Sequence, residues 1–499
     1  MRKTIILFLL VFLPFFMVNA QSVKSDTIKS DSITKTDTIV EKVQNLSDKI
    51  SAVEERLTTA ENDLAKATKL KISGYIQAQW VNYEASNVYP NNLFQVRRAR
   101  IKFTYEPIDG IIFVLQPDFQ PGNITIKDAY AQVNDPWLKI FSLYVGKFNR
   151  PNYEVEYSSS NREVPERSRV IRSIYPDERA IGAKLEINPK KIPLKVQLAV
   201  FNGNDGLSVP DVNGNYSIPQ NTDYDNHKDI MGRLTYTFKF KRFATLTLGT
   251  HGYYGGIKAN STTVLNSDYT YQKTVDPGQI LPKQWYGVEA QLYMDLLGGL
   301  ILKGEYITGV NTIPGVMSTN TTSTSNTSIK NDTLWITNTT TKNTINNPAI
   351  TKNFSGWYVY GVKNIGKKHQ LAVRYDYYDP NTKLSGTQVG TDKYDASKTT
   401  LDPNSTKTYL DNNVIINQNN SIYTSKLNSG TADIAYGTWT FGYSYFFTSN
   451  IKFMLGYEMP MNEKVNVKSS YTINSVPGSY DYNNLIHQNT LTVRLQVKF

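Results

Sequence analysis

From Lys71 to the C-terminus the apolar residues recur at every second position, and this alternation confines the chain to amphipathic strands. Ala99, Ile101, Phe103 and Tyr105 alternate with Arg98, Arg100, Lys102 and Thr104, giving one apolar face and one charged face. The pattern returns at Leu234, Tyr236 and Phe238, at Leu371, Val373 and Tyr375, and at Trp439, Phe441, Tyr443 and Tyr445. A slip of one residue in the first of these strands would turn three cations toward the apolar side, at roughly 2 to 4 kcal/mol each if that side were lipid. Register is therefore strongly specified.

Sixteen such segments follow one another from residue 72 to residue 499. Every second connection is tight, as at 107–109, 135–137, 189–193, 241–243, 365–368 and 448–449. The long connections, among them 149–179, 203–229, 255–283, 309–354, 380–434 and 461–488, fall between the tight ones. A soluble sandwich has no reason to sort loop lengths this way, whereas an outer-membrane barrel places short turns at its periplasmic rim and long loops outside. The expected fold is an all-β transmembrane barrel of 16 antiparallel strands, with a short N-terminal α-helical coiled coil. The last strand ends on Leu491, Val493, Leu495, Val497 and Phe499, and a terminal Phe on an amphipathic strand resembles the assembly signal of bacterial barrels.

Ahead of the barrel the chain reads as three segments. Residues 1–20 have the layout of a secretory signal peptide, with Arg2 and Lys3, an apolar run from Ile5 to Val18, and small Ala20 before Gln21. No later stretch reaches ~20 apolar residues, so no spanning helix is expected. Residues 21–40 repeat a polar theme of the type Ser25-Asp26-Thr27-Ile28 and form a flexible linker. Its Asp-Ser/Thr-aliphatic steps also resemble an O-glycosylation signal. Within residues 41–70, Val43, Leu46, Ile50, Val53, Leu57, Ala60, Leu64 and Ala67 form a heptad seam about 37 Å long at ~1.5 Å per residue. Lys49 before Glu54 and Arg56 before Glu61 stand at the offset that pairs charges between parallel helices, which favours self-association over one helix lying on another surface.

Composition narrows the chemistry. With 0 cysteines, neither disulfides nor thiolate sites are possible, while 34 Tyr, 20 Phe and 6 Trp supply the aromatic girdles of a barrel. Loss of Arg2 and Lys3 with the leader lowers the net charge from +11 to +9, and the remaining cations are spread along the chain rather than gathered as nucleic-acid binding requires. His227, His251, His369 and His487 lie far apart and form no recognisable catalytic or metal set. Asp223, Asp225, Asn226 and Asp229 lack the Gly and distal Glu of a calcium loop. No nucleophile elbow or phosphate loop occurs, so no enzyme activity, metal or cofactor is expected. The Ser/Thr/Asn-rich tract around 317–347 belongs in an exposed loop.

The connection after the fifth strand, 149–179, holds Arg150, Arg162, Arg167, Arg169, Arg172 and Arg179. Together with Arg97-Arg98-Ala99-Arg100, Lys127-Asp128-Ala129-Tyr130, Gly146-Lys147-Phe148, Phe201-Asn202-Gly203, Gly304-Glu305-Tyr306-Ile307 and Arg494-Leu495-Gln496, it resembles the phosphate-selective porin O and P family. That resemblance, spread over roughly residues 72–499, implies for the barrel of residues 71–499 a trimeric diffusion channel in the Gram-negative outer membrane, with the third loop folded into the barrel and pore arginines that handle anions such as phosphate. Alternation turns Arg98, Arg100 and Lys102 inward, and a loop of this length can bring Arg162, Arg167, Arg169 and Arg172 beside them. These seven are the candidate anion-binding residues of the pore. Inward positions hold thirteen cations against eight acids, an excess that predicts anion preference unless the charges pair with one another. Between Pro151 and Arg179, however, five arginines face six acids, so the loop itself is not net basic. A second reading stays open: a structural barrel tied through its coiled coil to a periplasmic partner, with little transport.

Overall fold

A computed structural model describes residues 49–59, 69–84, 91–203, most of 223–384, 433–463 and 489–499, with short stretches of the longer loops. The leader, the linker, both ends of the heptad seam and His487 lie outside the described residues. Residues 49–59 are helical and carry exposed Ile50, Val53 and Leu57 along one stripe. They belong to a unit separate from Lys69–Phe499.

The second unit is a meander of 16 antiparallel strands. The strands are β1 (Leu70–Tyr83), β2 (Asn92–Ile108), β3 (Ile111–Gln120), β4 (Asn123–Asn134), β5 (Phe141–Asn149), β6 (Arg179–Ile187), β7 (Leu194–Phe201) and β8 (Asp229–Phe240). The second half supplies β9 (Ala244–Lys258), β10 (Ile280–Met294), β11 (Leu300–Ile313), β12 (Ala349–Ile365), β13 (His369–Asp379), β14 (Tyr436–Phe446), β15 (Ile451–Pro460) and β16 (Thr490–Lys498). Each pairs with the next, and β16 returns to β1 in a register running from Tyr75↔Lys498 to Tyr83↔Thr490. Gly74 and Phe499 exchange backbone hydrogen bonds of 3.0 Å across this seam. A Cβ on Gly74 would stand 2.4 Å from the Phe499 ring, so glycine makes room for the terminal side chain. Closure leaves no unpaired edge, as a backbone in hydrocarbon requires.

The faces are inverted relative to a soluble protein. Leu234, Tyr286, Val288, Val359, Phe441 and Leu495 are exposed, while Arg98, Arg233, Glu305, Arg374, Asp376 and Arg494 are buried. Apolar side chains that cover the outside while charges line the inside are stable only if the outside meets lipid. Trp137, Leu138, Ile192 and Phe243 stand exposed in the short turns, where an interfacial belt forms. No helix among the described residues is long and apolar enough to cross a membrane. The protein is an outer-membrane β-barrel.

Some strands outrun the expected boundaries. β9, β10 and β12 have 15, 15 and 17 residues, more than the ~9–11 needed to span, so they extend past the membrane on the long-loop side. The Ser/Thr/Asn-rich tract forms a long hairpin, Val316–Lys330 with Thr333–Asn347, rather than an irregular loop. Its β-branched threonines suit a strand, but with few apolar residues it shows no hydrophobic period.

Candidate functional site

The third loop, residues 150–178, is packed inside the barrel, and its apolar residues explain why. Val155, Val164, Val170, Ile171, Ile174 and Tyr175 are all buried. Three of them sit on a short helix, Arg169–Ile174, at a spacing that turns them to one side. They join Phe201, Tyr253, Trp285, Phe354 and Tyr358 from β7, β9, β10 and β12 in one hydrophobic cluster. Tyr253 and Trp285 stack with centroids 3.9 Å apart, and Trp285 Nε1 donates to the Tyr175 hydroxyl at 2.9 Å. At about 1.5 to 3 kcal/mol per buried side chain, this contact alone is enough to hold the loop against one wall.

Polar anchors fix its position. Asn152 caps the helix Tyr153–Glu156 through the Val155 N–H and donates to Glu305 at 2.5 Å. Glu154 accepts from Tyr360 at 2.9 Å, Glu156 from Gln197 at 2.6 Å and Arg233 at 2.8 Å, and Glu163 from Lys303 at 2.9 Å. Glu166 receives a two-pronged bond from Arg97, 2.9 Å at each oxygen, and further bonds from Arg494 at 3.0 Å and Arg98 at 3.3 Å. Burial pushes the Glu166 carboxyl up, but Arg98, Arg97, Arg494 and Arg162 outweigh it and hold the group well below the usual carboxylate range. Three of the acids that deprive the loop of net positive charge, Glu156, Glu163 and Glu166, are thus attachment points to cations of the wall.

Two adjacent arginines reach Glu166 because the β1–β2 register slips there: Gln77 pairs with Arg98, and Ala78 pairs with Val96. Arg97 is the extra residue of a β-bulge, which re-aims a side chain that strict alternation would send outward.

Opposite the packed side, a cavity of about 350 Å³ remains between the loop and the wall formed by β1–β6 and the end of β16. Its basic side chains are Arg100, Lys102, Arg167, Arg179 and Lys498, and its acidic ones are Asp128 and Glu156. The Tyr75 side chain and the Ser158–Ser160 stretch also line it. Arg100 is held by Asp118 at 2.8 Å and by the Tyr75 hydroxyl at 3.0 Å. Arg179 binds Asp128 at 3.1 Å. Arg167 binds the Glu154 carbonyl at 2.7 Å and pairs with Glu178. Lys498 donates to Asn161 at 2.8 Å, and Lys102 makes no ion pair with any described residue. The arrangement presents fixed donors on both sides of the cavity.

Of the seven residues expected from the sequence, Arg100, Lys102 and Arg167 line this cavity. Arg98 binds Gln77 and Glu166, and Arg162 is buried on Ser159 at 2.9 Å, 3.8 Å from Glu178. Arg169 stacks over the Tyr436 ring at 3.9 Å, and Arg172 is exposed elsewhere on the loop. Arg179 and Lys498 were not among the seven. Lys498 was legible as inward-facing from alternation, but nothing local signals that strand ends converge with a loop 337 residues away.

The model of a family described as phosphate-selective porin O and P matches residues 69–295, which hold β1 to β10 and the third loop. No curated protein sequence matches. Among solved structures the chain is similar to the in-vitro folded OmpT of Vibrio cholerae in trimer form, at 10% identity, covering 86% of this chain and 99% of that one, TM-score 0.44. It is also similar to the outer-membrane channel DcaP of Acinetobacter baumannii, at 10% identity, 86% and 97% coverage and TM-score 0.44. A third is the anion-selective porin of Comamonas acidovorans, at 10% identity, 86% and 99% coverage and TM-score 0.44.

Proposed function

We propose that this outer-membrane porin, of the phosphate-selective porin O and P family, is a passive channel for small hydrophilic solutes that prefers anions and works as a homotrimer. The observation that carries the preference is the cavity lining, five basic side chains against two acidic ones. Of the loop's own acids, Glu154 and Glu163 are spent on the opposite wall, on Tyr360 and Lys303, and Glu166 is spent on Arg97, Arg98 and Arg494. Guanidinium forks and ammonium groups suit phosphate or carboxylate oxygens. Their partners, Asp118 on Arg100 and Asp128 on Arg179, keep each site weak, and weak sites in series let an anion leave as readily as it enters.

Reversal potentials across a planar bilayer under a potassium chloride gradient test this reading. Anion-preferring currents reduced by added phosphate are expected, and a cation-selective channel would overturn it. The heptad seam supports the trimer, and sedimentation in detergent measures it: a monomer would count against it.

A further inference from the structure

The barrel brings one of the four scattered histidines into a chemical setting that its sequence neighbours do not suggest. His251 on β9, Glu289 on β10 and Glu305 on β11 point inward from three successive strands. One ligand atom of each lies within 4.8 Å of the other two, and the side chains are fully buried. Glu289 is directly opposite Glu305 across the β10–β11 ladder. Like charges in that relation repel, and burial strengthens the repulsion, so the pair must hold either a cation or a proton.

Arg233 supplies only part of that need. It binds Glu289 at 2.6 and 3.1 Å and is shared with Glu156. Among the described residues Glu305 has no basic partner except His251, whose Nδ1 stands 3.4 Å from its Oε1. That approach is not aligned as a hydrogen bond, and both His251 ring nitrogens are without a hydrogen-bond partner. An imidazole buried with both nitrogens unused, aimed at two carboxylates, is costly unless something else accepts its lone pair.

The surroundings are built around this geometry. Gly287 lies opposite His251, and a Cβ there would stand 2.4 Å from the imidazole Cε1, so only glycine admits the ring. Asn152 donates to Glu305 Oε1 at 2.5 Å and Tyr358 to Oε2 at 2.7 Å, orienting the carboxylate as outer partners orient a metal ligand. For metal–ligand bonds of about 2.0 to 2.2 Å, tetrahedral donors lie about 3.4 Å apart, which the His251 to Glu305 distance already meets.

We propose that His251, Glu289 and Glu305 form a buried site for one divalent transition-metal ion of the zinc class. One imidazole and two carboxylates suit such an ion, whereas calcium or magnesium would be served by oxygen alone. The ion would tie β9, β10 and β11 together and, through Asn152 on Glu305, connect them to the third loop.

The full-length protein in detergent, stripped with EDTA and equilibrated with Zn²⁺, should retain about one ion per chain by atomic emission. X-ray absorption of the zinc-loaded protein should show a single imidazole with carboxylate oxygens. His251→Gln and Glu305→Gln should lower retention at least tenfold, and His369→Gln should leave it unchanged. Retention below a tenth of an ion by the wild-type protein, an absorption spectrum with two or more imidazoles, or full retention in a folded His251→Gln variant would each overturn the site. Because the absorption measurement needs no variant, it decides even if His251→Gln does not assemble.

Discussion

Arg494 Nη2 meets Glu166 Oε1 at 3.0 Å, joining the last strand of the barrel to the third loop across 328 residues of sequence. Arg97 and Arg98 complete the same grip from β2. Glu166→Gln would leave three cations facing a neutral amide, and removing one member of a buried pair costs about 3 to 5 kcal/mol. The apolar side of the loop stays packed, so the expected outcome is a folded barrel with larger, noisier single-channel currents and stronger anion preference. Conductance and noise identical to wild type would show that Glu166 does not hold the loop.

The same contact sets a pH dependence. The carboxyl of Glu166 lies well below its ordinary range in the folded protein, so its contribution is present above the unfolded value of about 4.3 and is lost only as pH falls through the folded one. Single-channel conductance should therefore stay level from pH 8 down to about 4.5 and change only in stronger acid. A change centred near pH 6 would assign the transition to another group.

Lining cations should divide by whether they have acid partners. Lys102→Gln with Lys498→Gln removes two charges from the cavity without stranding a carboxylate, and should shift the reversal potential toward cations at wild-type yield. Arg100→Gln strands Asp118, whose side chain is 0% exposed, and should reduce assembly by an amount consistent with about 3 to 5 kcal/mol. Unchanged selectivity in the double variant would remove those lysines from the ion path.

Neighbouring positions on β2 should respond oppositely to the same substitution. Phe103 belongs to an apolar groove on the outer face with Tyr105, Phe113 and Leu115, and Phe103→Arg would place a cation in lipid at roughly 2 to 4 kcal/mol. Thr104→Arg points into water and should fold normally. Equal yields in outer-membrane extracts would contradict the register.

A peptide covering residues 41–70 should sediment as a trimer, because the seam that includes exposed Ile50, Val53 and Leu57 needs partners. Sedimentation as a monomer at high concentration, with the barrel still trimeric after deletion of the segment, would sever the seam from assembly.

Strand existence, the two faces and the sorting of short turns from long loops could all be read from residues 72 to 499, because period-two alternation is a local property and a slip would expose cations to lipid. The inward direction of Arg98, Arg100 and Lys102 followed from the same rule. Strict alternation could not reveal the bulge that sends Arg97 to the side of Arg98, since a bulge is a relation between two strands. Nor could it show which cations are already engaged: Arg98 on Glu166 of the third loop, Arg100 on Asp118 across the β2–β3 ladder and Arg162 on Ser159 within the loop. His251 looked isolated because Glu289 and Glu305 are 38 and 54 residues further along the chain, and only strand pairing sets them side by side. The sequence by itself determined a closed barrel with a charged interior, through the local preference of each side chain for lipid or water. Tertiary structure alone decided which of those charges line the passage and which hold the loop, because an ion pair depends on distances of a few ångströms between segments far apart in the chain.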